Sequence, residues 1–372
     1  MKFSTSSSQL LKHLQIASGA ITNNPVLPIL EDFLFTIKDN RLKITASDLD
    51  TTIITHIDIT AEKDGSIAIP AKILTETLKA LPEQPVSFEV DESSNHVTLT
   101  SAYGTYKLSG ENGVDFPETP ESPTDEEIVI PTDILASAIT NTLFATSNDD
   151  LRPTMTGVYF LFEEGKATFV ATDAHKLVKY SRSIDNEAVS SSFIMPKKAL
   201  NLIKSSLSNT DEVRISFNKS NAFFTFGHFQ MACRLIEGRY PDYNMVIPVN
   251  NPNLMTIHRT DFLNSLKRIA IYANKTTNQV LIQIDGEQLH ISSQDLDFSN
   301  EAQETITCTY DGVPIQIAFN AKFLIEMLTI LSSTDVTLEL SEPNRAGVIR
   351  PAEQDPASDL LMLVMPVMVN VQ

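Results

Sequence analysis

The stretches FSTSSSQLLKHLQIASGAI (3–21), VIPTDILASAITNTLFATS (129–147) and TIHRTDFLNSLKRIAIYAN (256–274) share one pattern, and that pattern decides the fold. Each opens on a strand-like residue pair and passes through a capping Ser or Thr, with Asp after it in the second and third. Each continues with apolar residues at helical spacing: Leu10, Leu14 and Ala17; Ile134, Leu135, Ala138 and Ile139; Phe262, Leu266, Ile269 and Ala270. They begin at residues 3, 129 and 256, so the spacing is 126 and then 127. A second trio follows inside each unit: IAIPAKILTETLKAL (67–81), FIMPKKALNLIKSSL (193–207) and IAFNAKFLIEMLTIL (317–331), with Lys72, Lys198 and Lys322 in matching places. Pro70 and Pro196 pre-set the first helical turn in two of them.

Alternating strand patterns come next: VSFEV, VTLTS and TYKLS in the first unit, VRISF, AFFTF and FQMACRL in the second, VTLEL and LLMLVMPVMV in the third. Each unit therefore reads as two helices plus roughly eight short strands. Solenoid repeats run about 20 to 50 residues, so units this long are whole domains. The acidic, proline-rich FPETPESPTDEE (116–127) and VIPVNNPN (246–253) mark the joins, giving domains 1–124, 125–250 and 251–372.

The totals agree. A chain of 372 residues exceeds what one core organises, and 42% apolar content suffices for several. No run reaches the ~18 apolar residues of a membrane span, and the serine-rich N-terminus with its Lys12-His13 break is no secretory signal. Two cysteines, Cys233 and Cys308, without CxxC spacing fit core positions in a reducing cytoplasm, with no metal and no cofactor expected.

A net charge of −19 argues against a nucleic-acid partner until the charges are located. The six helical spans, 4–21, 71–81, 132–147, 197–207, 259–274 and 321–331, hold ten basic residues and four acidic ones, so they are net +6 while the remainder is net −25. Lysine on solvated helix faces explains this as readily as a common positive surface that would hold a polyanion by its backbone without reading bases.

One segment resembles chemistry. In FVATDAHKLVKYS (169–181), Asp173 and His175 lie two apart, as in a hydrolase or metal site. Catalysis needs more convergent groups, and the chain has no Walker lysine loop, GxSxG or HExxH. A hydrolase using Asp173 and His175 and a protein-binding repeat scaffold without DNA contact remain the alternatives.

Taken together, PVLPIL (25–30), ATDAHKL (171–177), EGRYPDY (237–243) and the terminal VMP (364–366), in that order over three repeats, resemble the bacterial sliding clamp, the beta subunit of the replicative DNA polymerase, along the whole chain. The resemblance implies an α+β fold of three clamp domains, each two helices packed on antiparallel sheets, forming half of a closed ring around duplex DNA as a head-to-tail homodimer. It implies a processivity factor, not an enzyme, that tethers the polymerase catalytic subunit, the clamp loader and repair proteins by short linear peptides. The peptide groove then maps to Met155, Thr172, Ala174, His175, Lys176, Leu177, Pro241, Val246, Leu363, Val364, Met365, Pro366 and Val367, where Leu177, Val246, Met365 and Val367 offer a pliant apolar floor. DNA contacts map to Asn24, Lys72, Arg152, Lys197 and Lys198. The dimer interface maps to Tyr103, Tyr106 and Leu108 on one side and Ile271, Tyr272, Glu301 and Glu304 on the other.

Four departures stand out. Ala174 replaces the usual loop glycine, which at positive φ costs about 1 kcal/mol. Met245 stands where a basic residue is frequent, and Asn24 and Asn148 stand at DNA-contacting positions that are basic or histidine in better-known clamps. The tail VMVNVQ beyond Pro366 is long enough to cover part of the groove.

Overall fold

The computed structural model describes residues 1–123, 127–185, 190–207 and 210–368. Among them are six α-helices: α1 (Ser7–Ala17), α2 (Ala71–Ala80), α3 (Thr132–Thr142), α4 (Lys197–Ser206), α5 (Arg259–Ile269) and α6 (Ala321–Ile330). Each buries the stripe that its spacing dictates, Leu10, Leu14 and Ala17 on α1 and Phe262, Leu266 and Ile269 on α5. Within the repeats α1 packs on α2 and α5 on α6.

The helices are shorter than their apolar periodicity suggests. Residues 2–6 form a strand, and the segments after α1, α3 and α5 tighten into 3-10 turns at Ser18–Ala20, Leu143–Ala145 and Ala270–Tyr272. A 3-10 turn keeps the i,i+3 recurrence, so the pattern continues although the α-helix has stopped. Capping also differs. Ser6 accepts from the Gln9 amide and Asn320 from that of Lys322, but α5 starts at Arg259 behind His258, which makes no side-chain cap.

The strands build four sheets in two compact units. The first unit, residues 1–135 with 198–235, holds a five-stranded sheet ordered Thr60–Lys63, Lys2–Ser6, Pro85–Asp91, His96–Ser101, Gly104–Ser109. Inward residues alternate with outward ones along it, as in Val86, Phe88 and Val90, and Phe3 stacks on Phe88 at 4.7 Å. Its second sheet has nine strands, and the central pair joins two repeats: Thr51–Asp58 runs antiparallel to Phe229–Arg234, with Thr55 opposite Phe229.

The second unit, residues 136–197 with 236–372, repeats the plan. Its nine-stranded sheet joins the second and third repeats where Lys176–Ser183 runs antiparallel to Ser358–Val364. The four-stranded sheet is ordered Asn300–Thr307, Gln288–Asp295, Gln279–Asp285, Ile315–Asn320. The central repeat is thus divided between units, because its strands complete sheets begun in its two neighbours. Cys233 and Cys308 are buried free thiols, and burial pushes that of Cys233 up to about 12. No helix among the described residues is long and apolar enough to cross a membrane.

Candidate functional site

The turn Thr172–Leu177 connects the strands Lys166–Thr172 and Lys176–Ser183. One oxygen of Asp173 accepts the amides of His175 and Lys176, both at 2.9 Å, and its other oxygen lies 3.3 Å from Lys176 Nζ. Thr172 Oγ1 donates to the Lys176 carbonyl at 2.7 Å and accepts from the Ala174 amide at 3.1 Å. The carboxylate is therefore engaged in holding the turn. His175 is exposed and lies parallel to Phe323, with centroids 6.1 Å apart. Asp173 and His175 thus form a shaped turn with a ring on its rim, and the hydrolase arrangement of an acid orienting an imidazole is not present in it. Ala174 sits at φ 75, the left-handed region that a side chain disfavours.

Lys176 is the unexpected feature. Its side chain is only 6% exposed, yet it is charged and well partnered. Nζ donates to Glu326 of α6 at 2.7 Å, lies 4.7 Å over the Phe323 ring and reaches within 5.8 Å of the Phe144 ring. A buried cation persists only with such compensation. Neither Phe323 nor Phe144 stood out in the sequence, since both read as ordinary members of apolar helix faces.

Leu177 faces Leu363 across the strand pair, and both enter one apolar cluster with Val170, Ile194, Tyr240, Tyr243, Val348 and Leu361. Tyr159 stacks on Tyr240 at 4.9 Å, and burial raises the Tyr240 hydroxyl above its ordinary range. Val364 is opposite Lys176, the Met365 amide donates to the His175 carbonyl at 2.8 Å, and the Val367 amide donates to Ala318 at 2.8 Å. The structure therefore gathers Thr172, Ala174, His175, Lys176, Leu177, Leu363, Val364, Met365 and Val367. Pro366 is half-buried between the last two, and Met368 is exposed; residues 369–372, the rest of the tail, lie outside the described residues. Val246 and Met245 are exposed on the 3-10 turn Tyr243–Val246 whose Tyr243 enters the cluster, next to half-buried Pro241. Met155 lies on the 3-10 turn that leads into the strand of Tyr159.

The residues read as DNA contacts are mostly occupied. Lys198 pairs with Asp48, Lys197 Nζ is 3.4 Å from Asn148, and Arg152 is held by Asp149 at 2.9 Å. Lys72 and Asn24 are exposed. Two other cations of the helical count are structural: Arg259 donates to the carbonyls of Ser333 and Leu328, closing the end of α6, and Arg268 forms a two-pronged pair with Glu304. Of the residues read as an interface, Tyr103, Ile271, Tyr272 and Glu301 are exposed, Tyr106 and Glu304 are half-buried, and Leu108 is buried. Leu296 and Phe298, which the sequence reading passed over, are exposed on the turn between Gln288–Asp295 and Asn300–Thr307.

A thrice-repeated pair of helices on antiparallel sheets, with the Asp173 carboxylate engaged in holding the turn beside His175, defines a modular three-domain chain. Family models for the N-terminal, central and C-terminal domains of the DNA polymerase III beta subunit match residues 1–120, 129–242 and 244–366. The chain belongs to that family, the sliding clamps. The beta sliding clamp of Staphylococcus epidermidis is 26% identical over 97% of this chain and 98% of its own, and that of Synechococcus elongatus 28% identical over 99% of each. The solved sliding clamp of Bacillus subtilis superimposes with a TM-score of 0.94 at 26% identity over 99% of both chains. A Pseudomonas aeruginosa clamp bound to griselimycin does so with the same score and identity over 99% of this chain and all of its own.

Proposed function

We propose that two copies of this chain close head to tail into a ring around duplex DNA and tether replication and repair proteins to it as a processivity factor, with no chemistry of their own. The observation that carries this is the pair of sheet edges. Gly104–Ser109 ends the five-stranded sheet and Asn300–Thr307 ends the four-stranded one, and an unpaired edge invites another strand. The first edge carries Tyr106 and Lys107 beside exposed Tyr103. The second carries Glu301 and Glu304 beside exposed Ile271 and Tyr272, with Leu296 and Phe298 at its turn. Aromatic residues face aromatic and apolar ones, and a lysine faces carboxylates. A heterologous contact of this kind closes into a ring when its rotation permits.

The surface around His175, Leu177, Val246, Met365 and Pro366 then receives partner peptides. Affinity there rests on apolar anchors buried against the Leu177–Leu363 cluster. Lys72, Lys197 and Lys198 supply the sequence-independent hold on the duplex, joined in this reading by Asn24 and Arg152.

Closed circular DNA tests the proposal. Protein loaded on a nicked circle that is then sealed should stay on it through gel filtration and slide off after the circle is cut. Equal loss from both forms would remove the ring and favour a protein-binding scaffold without DNA contact. Removing residues 365–372 should separately abolish peptide binding while leaving retention intact.

A further inference from the structure

We propose that Asp48 is a fixed counter-ion for Lys198 and that it sets how loosely the protein holds DNA; this rests on the reading above that the start of α4 faces the duplex. Lys198 donates to Asp48 Oδ2, and the two partners differ in freedom. The lysine side chain is 47% exposed, whereas that of Asp48 is 10% exposed.

The carboxylate cannot follow the lysine out. Its other oxygen, Oδ1, accepts the amides of Asp50 at 3.1 Å and Thr51 at 2.7 Å, and the Asp48 amide donates to the Thr51 carbonyl at 3.1 Å. Leu49, next in the turn, is left-handed at φ 78, and its amide donates to Ser47 Oγ at 3.1 Å. That hydroxyl is itself paired with Thr52 at 2.8 Å. Asp50 lies in the same turn, with its carboxylate 3.9 Å from Arg234.

The placement follows from helix physics. Lys197 and Lys198 occupy the first turn of α4, where the aligned peptide dipoles disfavour cations and favour an anion. Asp48 supplies that anion from a neighbouring strand turn. A phosphate approaching Lys198 meets a charge that is already neutralised, with an immovable carboxylate behind it. The pair therefore withholds one counterion-releasing contact per chain, which favours movement along the duplex over arrest on it.

The experiment uses the full-length protein and a short labelled duplex, titrated by anisotropy over a range of salt. Asp48→Asn keeps the turn-capping oxygen and removes the charge, and Asp48→Ser does the same with a hydroxyl should the first variant fold poorly. Either should tighten binding several-fold and steepen the slope of log K against log salt by about 0.9 for each chain of the ring. Adding Lys198→Ala to it should cancel that gain. If Asp48→Asn changes neither affinity nor slope while Lys197→Ala lowers both, α4 faces DNA but Asp48 does not govern it, and the inference is wrong. If Lys197→Ala also changes nothing, the DNA path itself has been misplaced and the inference falls with it.

Discussion

Replacing Lys176 by Met keeps the aliphatic bulk of the side chain and deletes its charge, so the loss can be built up from its contacts. Glu326 is 47% exposed and can turn to water, so its bond at 2.7 Å counts as a surface pair, about 0.5 kcal/mol. Asp173 is 17% exposed and pinned by two amides, so losing its counter-charge costs about 1 kcal/mol. The ammonium 4.7 Å over Phe323 in a nearly dry site adds about 1 kcal/mol. The total is about 2.5 kcal/mol, below the 3–5 kcal/mol of breaking a wholly buried pair. Urea unfolding followed by circular dichroism measures it, and hydrogen exchange over residues 172–177 locates it. Lys176→Arg should recover most of the loss. If Lys176→Met is within about 0.5 kcal/mol of wild type, a shift ordinary for surface positions, the buried network does not hold the turn.

Ala174→Gly removes a side chain from φ 75, and after the extra chain entropy of glycine should gain roughly 0.5 kcal/mol, seen as a slightly raised melting temperature; destabilisation would contradict the strain. Asp32 is pushed up to about 7 chiefly by burial, with Glu111 and Glu31 adding to it. Its folded form binds the proton more tightly than the unfolded chain, so its contribution is full below the unfolded pKa of 3.8 and lost as pH rises towards 7. Asp32→Asn should therefore stabilise the protein at pH 8 by on the order of 3 kcal/mol and not at pH 4, and an equal effect at both would refute the assignment. His13 is lowered to about 4, again chiefly by burial with His228 adding. Its folded form resists the proton, so stability present above 6.5 should fall by on the order of 3 kcal/mol between pH 6.5 and 4, a loss that His13→Gln should abolish in pH-dependent melts. If two copies close as proposed, changing Ile271 and Tyr272 together to Ala should yield monomers in sedimentation, since truncating anchors that such an interface would bury costs roughly 2 to 5 kcal/mol each; a persisting dimer would place the interface elsewhere.

What could be read from residues alone divides by the range of the interaction. The repeats were legible because helical periodicity and strand alternation are local, so VSFEV, AFFTF and VTLEL all fall within strands. The pairing of Thr51–Asp58 with Phe229–Arg234 was not, because hydrogen bonds between repeats leave no mark on either strand. The same limit governs charge. Counting cations along the helices treats each as available to a partner, and the structure shows that four of the ten are already engaged. Lys198 is matched by Asp48, Arg268 by Glu304, and Arg259 by carbonyls of a neighbouring helix end. The Arg152–Asp149 pair, three residues apart, was open to sequence reasoning; the others join distant segments. Conversely Lys176, which read as one more groove residue, is a buried strut whose partners come from three separate segments. The +6 of the helices is therefore an upper bound on what a polyanion meets, and in the proposed reading the helical lysines with no salt-bridge or side-chain partner among the described residues, Lys12, Lys72, Lys79, Lys204, Lys267 and Lys322, would add to the hold of Lys197 and Lys198.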